Sequence, residues 1–230
     1  AAAPGCCAHR QRQGRDAADA RNNLAQPPKT PGACTLAFEA TVAGRLVKLS
    51  YRLSPPKDYE KNANRYPMLL YLHGASEAGD GPAGPELART KDQKLADSFP
   101  LICVSPRCPP GRSWDEPDMM QALLALIDEM VCRFRVEEDR VCAVGLDRGA
   151  NALWQAAALA PERFAAIVPV ALAIQPDQVP DNLARVSTWL VAGANDGQST
   201  ETARQLAEML KKKQAASQLT LAPATSQVET

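Results

Sequence analysis

Three short, almost wholly apolar runs constrain the fold of this chain most: PMLLYLHG at 67–74, PLICVS at 100–105 and RVCAVG at 140–145. Runs this short, with no polar alternation, have no face to turn to water, which is the pattern of a strand buried on both sides of a parallel sheet. Ala165 to Val170 and Ser187 to Ala192 read the same way. Between the second and third runs, Met120, Leu123, Leu124, Ile127, Met130, Val131 and Phe134 fall at spacings of three and four. That spacing predicts a helix from Pro117 to Phe134 with one apolar face, and Pro117 suits its first turn. Further helices are expected from about Gly149 to Ala160, stopped by Pro161, and from Glu201 to Lys213, where three lysines suit the carboxyl end. A last strand is expected at Gln218 to Ala222. Upstream, Cys34 to Val42 and Arg45 to Leu53 alternate around Gly44 as a half-buried hairpin. Strands alternating with helices predict an α/β protein: a mostly parallel central sheet covered by helices on both faces, preceded by an antiparallel N-terminal hairpin.

The first 32 residues are polar and lack periodicity, so the chain divides into a tail or linker at 1–32 and one α/β domain at 33–230. The tail's opening, Ala-Ala-Ala-Pro-Gly-Cys, reads as an ordinary Ala-rich segment. It also resembles the end of a bacterial secretion or lipoprotein signal, which would place the protein in the cell envelope or outside. Lys and Arg together number 26, as do Asp and Glu. No global field therefore draws the protein to nucleic acid, and a small molecule or a protein is the expected partner. No apolar run approaches the ~20 residues of a membrane span.

The seven cysteines are scattered and include no CxxC pair. That argues against a zinc site and against a dense disulfide framework. Cys103, Cys132 and Cys142 lie in apolar runs and are expected in the core, while Cys103 and Cys108 could bridge a loop.

In a parallel sheet ligands gather beyond the carboxyl ends of the strands, so the loops after His73, Ser105, Gly145 and Gly193 are the places to look for function. They hold LLYLHGASEAGDG, SPRCPPGRSW, GLDRGANALWQAAALAPERFAAIVPVA and WLVAGANDGQST, in that order. With these four segments the sequence resembles the α/β-hydrolase superfamily, and within it the bacterial phospholipase/carboxylesterase group that includes polyhydroxybutyrate-depolymerase-like and feruloyl-esterase-like proteins. The resemblance covers roughly residues 50 to 227. It implies an ester hydrolase without a cofactor, acting through a serine on a tight strand-to-helix turn.

The chain departs from that pattern at two of three catalytic positions. Gly145 and Gly149 preserve the turn, but Asp147 stands where the resemblance implies the nucleophilic serine. The family's acid maps to Asp196, in Gly193-Ala194-Asn195-Asp196, with Ala192 where a histidine is common. Its histidine maps to Gln227. The oxyanion-hole N–H groups map to Arg148 and to Ala75 or its neighbour Ser76, and being main-chain groups they survive side-chain change. His9 and His73 are the whole histidine complement of the chain. A serine hydroxyl needs a base to take its proton, and glutamine cannot take one, so acyl transfer by the family's route should be lost.

Several roles remain for Asp147. As a nucleophile it would resemble the aspartate of haloalkane dehalogenases and epoxide hydrolases, yet the ester it formed would lack a histidine to activate water. With Asp196 and Gln227 it could offer oxygens to calcium or magnesium. Alternatively, Arg148 or the N–H groups of the turn neutralise it, leaving no metal. Trp114 either walls the pocket or caps the long helix. His73 is expected to hydrogen-bond within its own loop, and Trp154 and Trp189 to lie in the core. The family usually has a further helix after the histidine loop, and Thr230 comes before one. The expectation is an esterase-like scaffold that binds an ester, lipid, polyester or carbohydrate ligand, or a protein partner, without turnover. The competing expectation is a hydrolase dependent on Asp147, with or without a metal.

Overall fold

A computed structural model describes residues 33–74, 99–174 and 179–223. Eight strands form one sheet: β1 (Cys34–Val42), β2 (Arg45–Ser54), β3 (Tyr66–Leu72), β4 (Ile102–Arg107), β5 (Val136–Leu146), β6 (Ala166–Val170), β7 (Ser187–Gly193) and β8 (Ser217–Ala222). Their order across the sheet is β1-β2-β4-β3-β5-β6-β7-β8. β1 and β2 pair antiparallel, β2 meets β4 antiparallel, and every later pairing is parallel. Among the described residues, three α-helices pack around the sheet: α1 (Pro117–Arg133), α2 (Arg148–Leu159) and α3 (Gly197–Lys212). This is the expected α/β architecture with its N-terminal hairpin.

The register brings the strand ends level where function was expected. Leu72 pairs with Gly145, Leu146 with Val170, and Gly193 with Ala222. The chain therefore leaves β3, β5, β6 and β7 along one edge, where Asp147 N–H donates to Val170 O at 3.0 Å and Ala194 N–H to Ala222 O at 2.7 Å.

Packing follows the two-residue period of the strands. Met68, Leu70 and Leu72 of β3 share a face with Ile102, Val104, Val141 and Ala143 and are buried with them. From α1, Met119, Met120, Leu123, Leu126, Ile127 and Met130 join the same core, as does Leu153 of α2. Burying one such side chain stabilises by about 1.5–3 kcal/mol.

Boundaries shift where flanking residues join the ladder. β5 begins at Val136 rather than Arg140, because Val136 pairs with Tyr66 across a bulge. α3 begins at Gly197 rather than Glu201: Gly197 takes φ +44° directly after the turn at Asp196, and the helix starts at once.

Three side chains expected in the core are elsewhere. Trp189 is 44% exposed, since it alternates with buried Leu190 and points to the opposite face, where its Nε1–H donates to Thr220 Oγ1 at 2.9 Å. Cys132 is exposed because its position on α1 falls on the solvent side. Cys142 is half-buried, on the other face from Val141 and Ala143. Cys103 and Trp154 are buried as expected, and Cys103 and Cys108 are both free thiols rather than a bridge.

Candidate active site

The turn from β5 into α2 is built on contacts that no side chain would survive. A Cβ on Gly145 would stand 2.4 Å from Gly149 O, and one on Gly149 would stand 2.3 Å from Leu72 O. Real contacts are never that short, so the chain can cross itself here only with hydrogen in both places. Between them Asp147 adopts φ 53° and ψ −114°, outside the regions L-residues ordinarily use. Such a conformation costs on the order of 1–3 kcal/mol and is held by its surroundings. Asp147 O accepts from Ala150 N–H at 2.9 Å and Asn151 N–H at 3.1 Å, which locks the start of α2. The result is an exposed aspartate at the tip of a strained strand-to-helix elbow.

Gly74 faces that aspartate. A Cβ there would stand 3.3 Å from Asp147 Cβ and 3.7 Å from its Oδ2, so the carboxylate lies over the loop leaving β3. His73, 3% exposed, fixes this loop from beneath. Its Nε2 accepts the Cys108 N–H at 3.0 Å, which requires that nitrogen to be unprotonated, so Nδ1 carries the hydrogen and donates to Gly74 O at 2.9 Å. Both ring nitrogens are thereby committed. His73 ties the β3 loop to the β4 loop and has no nitrogen left to serve Asp147 as a base.

Asp196 ends the turn after β7. Its N–H lies 3.2 Å from both Gly193 O and Thr200 Oγ1, and the Thr200 hydroxyl donates to Gly193 O at 2.5 Å. A Cβ on Gly193 would come within 3.1 Å of Asp196 Cβ, so this turn is also tight. Asp196 is exposed at the N-cap of α3, on the same edge as Asp147 and two strands away, about 10 Å by strand spacing alone.

Comparison with protein-family models gave no match, and comparison with curated proteins gave none. Solved structures match over most of the chain. A thermostable esterase superposes with TM-score 0.70 at 25% identity, over 84% of this chain and 55% of its own. A ferulic acid esterase gives TM-score 0.65 at 14% identity, covering 84% of this chain and 91% of its own. A lipase/esterase from Lactobacillus plantarum gives 0.63 at 15%, covering 84% and 93%. The chain has the fold of the α/β-hydrolases. It spans about half the length of the thermostable esterase it matches.

This fold carries the elbow, the loop after β3 and the turn after β7 on one edge, and so brings Asp147, Arg148, Gly74 and Asp196 to the same side of the sheet. Arg148 is the first residue of α2, where a backbone N–H has no acceptor within its own helix. Ala75, Ser76 and Gln227 lie outside the described residues. Among the described residues, no group of three His, Cys, Asp or Glu side chains could hold a metal ion, and no helix is long and apolar enough to cross a membrane.

Trp114 lies in the core, 2% exposed, its ring centroid 5.4 Å from that of His73 and its Nε1–H without an acceptor among the described residues. The start of α1 is held by other groups. Arg112 Nε donates to Glu116 Oε2 and Nη2 to Asp118 Oδ1, both at 2.7 Å, while Ser113 N–H donates to Glu116 Oε1 at 2.6 Å. The Arg112 guanidinium holds the Asp118 carboxyl below its ordinary range.

Sequence reasoning missed Asn151, one turn beyond Asp147. Its Oδ1 accepts Ala173 N–H at 3.0 Å and its Nδ2 donates to Ala173 O at 3.4 Å. Thr202 of α3 donates to Ile174 O at 3.3 Å. Two helices thus pin the loop after β6, which Ala171 enters at φ 55°. A polar residue one turn past the elbow was the available signal.

Proposed function

We propose that this α/β-hydrolase-fold protein is a pseudo-hydrolase, which uses the inherited elbow region to bind an ester-like small molecule without turning it over. The observation that carries the reading is the chemistry around Asp147. The elbow remains strained into the geometry that presents a nucleophile, yet the side chain there is a carboxylate and the buried histidine behind it has both nitrogens engaged. The remaining histidine, His9, falls in the polar first 32 residues of the sequence, outside the described residues. With Gln227 at the position that resembles the family's base, no imidazole among the described residues is left to take a proton from water or a hydroxyl. The likeness to a thermostable esterase at 25% identity supports the ligand class.

A titration of the full chain with p-nitrophenyl butyrate tests this reading. Saturable binding, with intact ester recovered and p-nitrophenol released only at the background rate, is the expected result. Release above background that Asp147→Ala abolishes would refute it.

A second reading is favoured by the strained, exposed presentation of Asp147: an active hydrolase in which this carboxylate attacks, with or without a divalent cation. Under that reading turnover is lost in Asp147→Ala. Sensitivity to a chelator then separates the metal-assisted route from the direct one.

A further inference from the structure

At the opposite end of the sheet from the elbow, where β3, β4 and β5 begin, the surface folds into a recess of about 630 Å³. That volume falls within the range of small-molecule sites. Its walls are of two kinds. Tyr66, Pro67, Pro100, Leu101 and Phe99 supply flat apolar surface, and Phe99 is 64% exposed. Arg65 and Arg140 supply guanidiniums. Arg140 is paired with the third charged group of the recess, donating from Nη1 to Glu137 Oε2 at 2.7 Å. Arg65 is anchored differently: its Nη1 donates to Val136 O at 3.0 Å, and no carboxylate among the described residues pairs with it. The recess therefore joins a fixed guanidinium, with no carboxylate partner among the described residues, to an exposed aromatic residue. A guanidinium fork matches a carboxylate in two parallel hydrogen bonds, and an aromatic ring stacks on another at a 4.5–7 Å centroid separation.

We propose that this recess is a second ligand site, separate from the elbow, that takes a small aromatic carboxylate: the carboxylate on Arg65, the ring against Phe99. The proposal does not depend on the reading of Asp147. An uncharged aromatic would fill the apolar walls without satisfying Arg65, and a small aliphatic acid would do the reverse, so each half alone binds more weakly.

Calorimetric titration of the full chain with benzoate tests the proposal, with benzyl alcohol and acetate as probes of the separate halves. Saturable benzoate binding with a Kd of about 1 mM is expected, with benzyl alcohol and acetate each at least about tenfold weaker. Arg65→Gln and Phe99→Ala should each weaken benzoate about tenfold while leaving the thermal midpoint within about 2 °C, since both side chains are exposed. Absence of saturation at about 10 mM benzoate would overturn the proposal. So would equal binding of benzyl alcohol, or an affinity unchanged by Arg65→Gln. If Asp147→Ala abolishes binding and Arg65→Gln does not, benzoate sits at the elbow and the recess is no site.

Discussion

Gly149 Cα lies so close to the end of β3 that a Cβ built on it would stand 2.3 Å from the carbonyl oxygen of Leu72. The first turn of α2 thus rests directly on the strand beside it, and the elbow cannot relax without separating two main-chain segments.

Gly149→Ala should therefore destabilise the protein by about 2–4 kcal/mol, because the atoms in the way are backbone rather than the end of a flexible side chain. Gly145→Ala meets another backbone oxygen, that of Gly149, at 2.4 Å and should cost a similar amount. Gly44→Ala is the contrast: φ is +77° but nothing lies within 4 Å, so only backbone strain of about 1 kcal/mol is expected. Urea unfolding of the three variants checks the ranking, which fails if Gly44→Ala is the most damaging.

His73→Ala should cost about 2–4 kcal/mol by leaving the Cys108 N–H and Gly74 O without their buried partner. His73→Gln keeps an acceptor for Cys108 and should recover part of that loss. Equal midpoints for the two variants would show that the hydrogen bonds add nothing beyond packing.

Alkaline pH should destabilise the fold. Burial pushes the Cys103 thiol from 9.0 up to about 11, and burial with help from Glu116 does the same for Cys108. Burial likewise raises the Tyr51 hydroxyl from 10.0 to about 12. Each group is harder to ionise folded than unfolded, so the unfolded chain sheds protons first as pH rises. Stability is intact below about pH 9 and declines between about 9 and 11, by on the order of 2–3 kcal/mol for each buried thiol. Urea midpoints at pH 8 and pH 10.5 measure it, and the Cys103→Ala, Cys108→Ala double variant should flatten the fall. A midpoint that holds or rises at pH 10.5 would contradict the assignment.

Hydrophobic runs made the parallel strands legible because a strand buried on two faces has no polar register to obscure it. Helix α1 was legible from its apolar period. Glycine spacing announced the elbow, since only two close backbone approaches require Gly at both 145 and 149. Exposure was less legible. Trp189 and Cys142 sit in apolar strands on the face opposite the core residues beside them, and which face is better covered depends on tertiary packing rather than composition. Nor could the sequence alone give His73 its two main-chain partners, because Cys108 lies on another strand's loop. The clamp from Asn151 to Ala173 was hidden for the same reason: its partner follows a different strand.

The most direct test of the central claim is hydrolysis of short-chain p-nitrophenyl esters by the wild type, by Asp147→Ser and by Asp147→Ser with Gln227→His, each with and without a divalent cation. The account predicts that the wild type and the single variant stay at background while the double variant gains turnover. Turnover by the wild type that disappears in Asp147→Ala would contradict it and make Asp147 a working nucleophile.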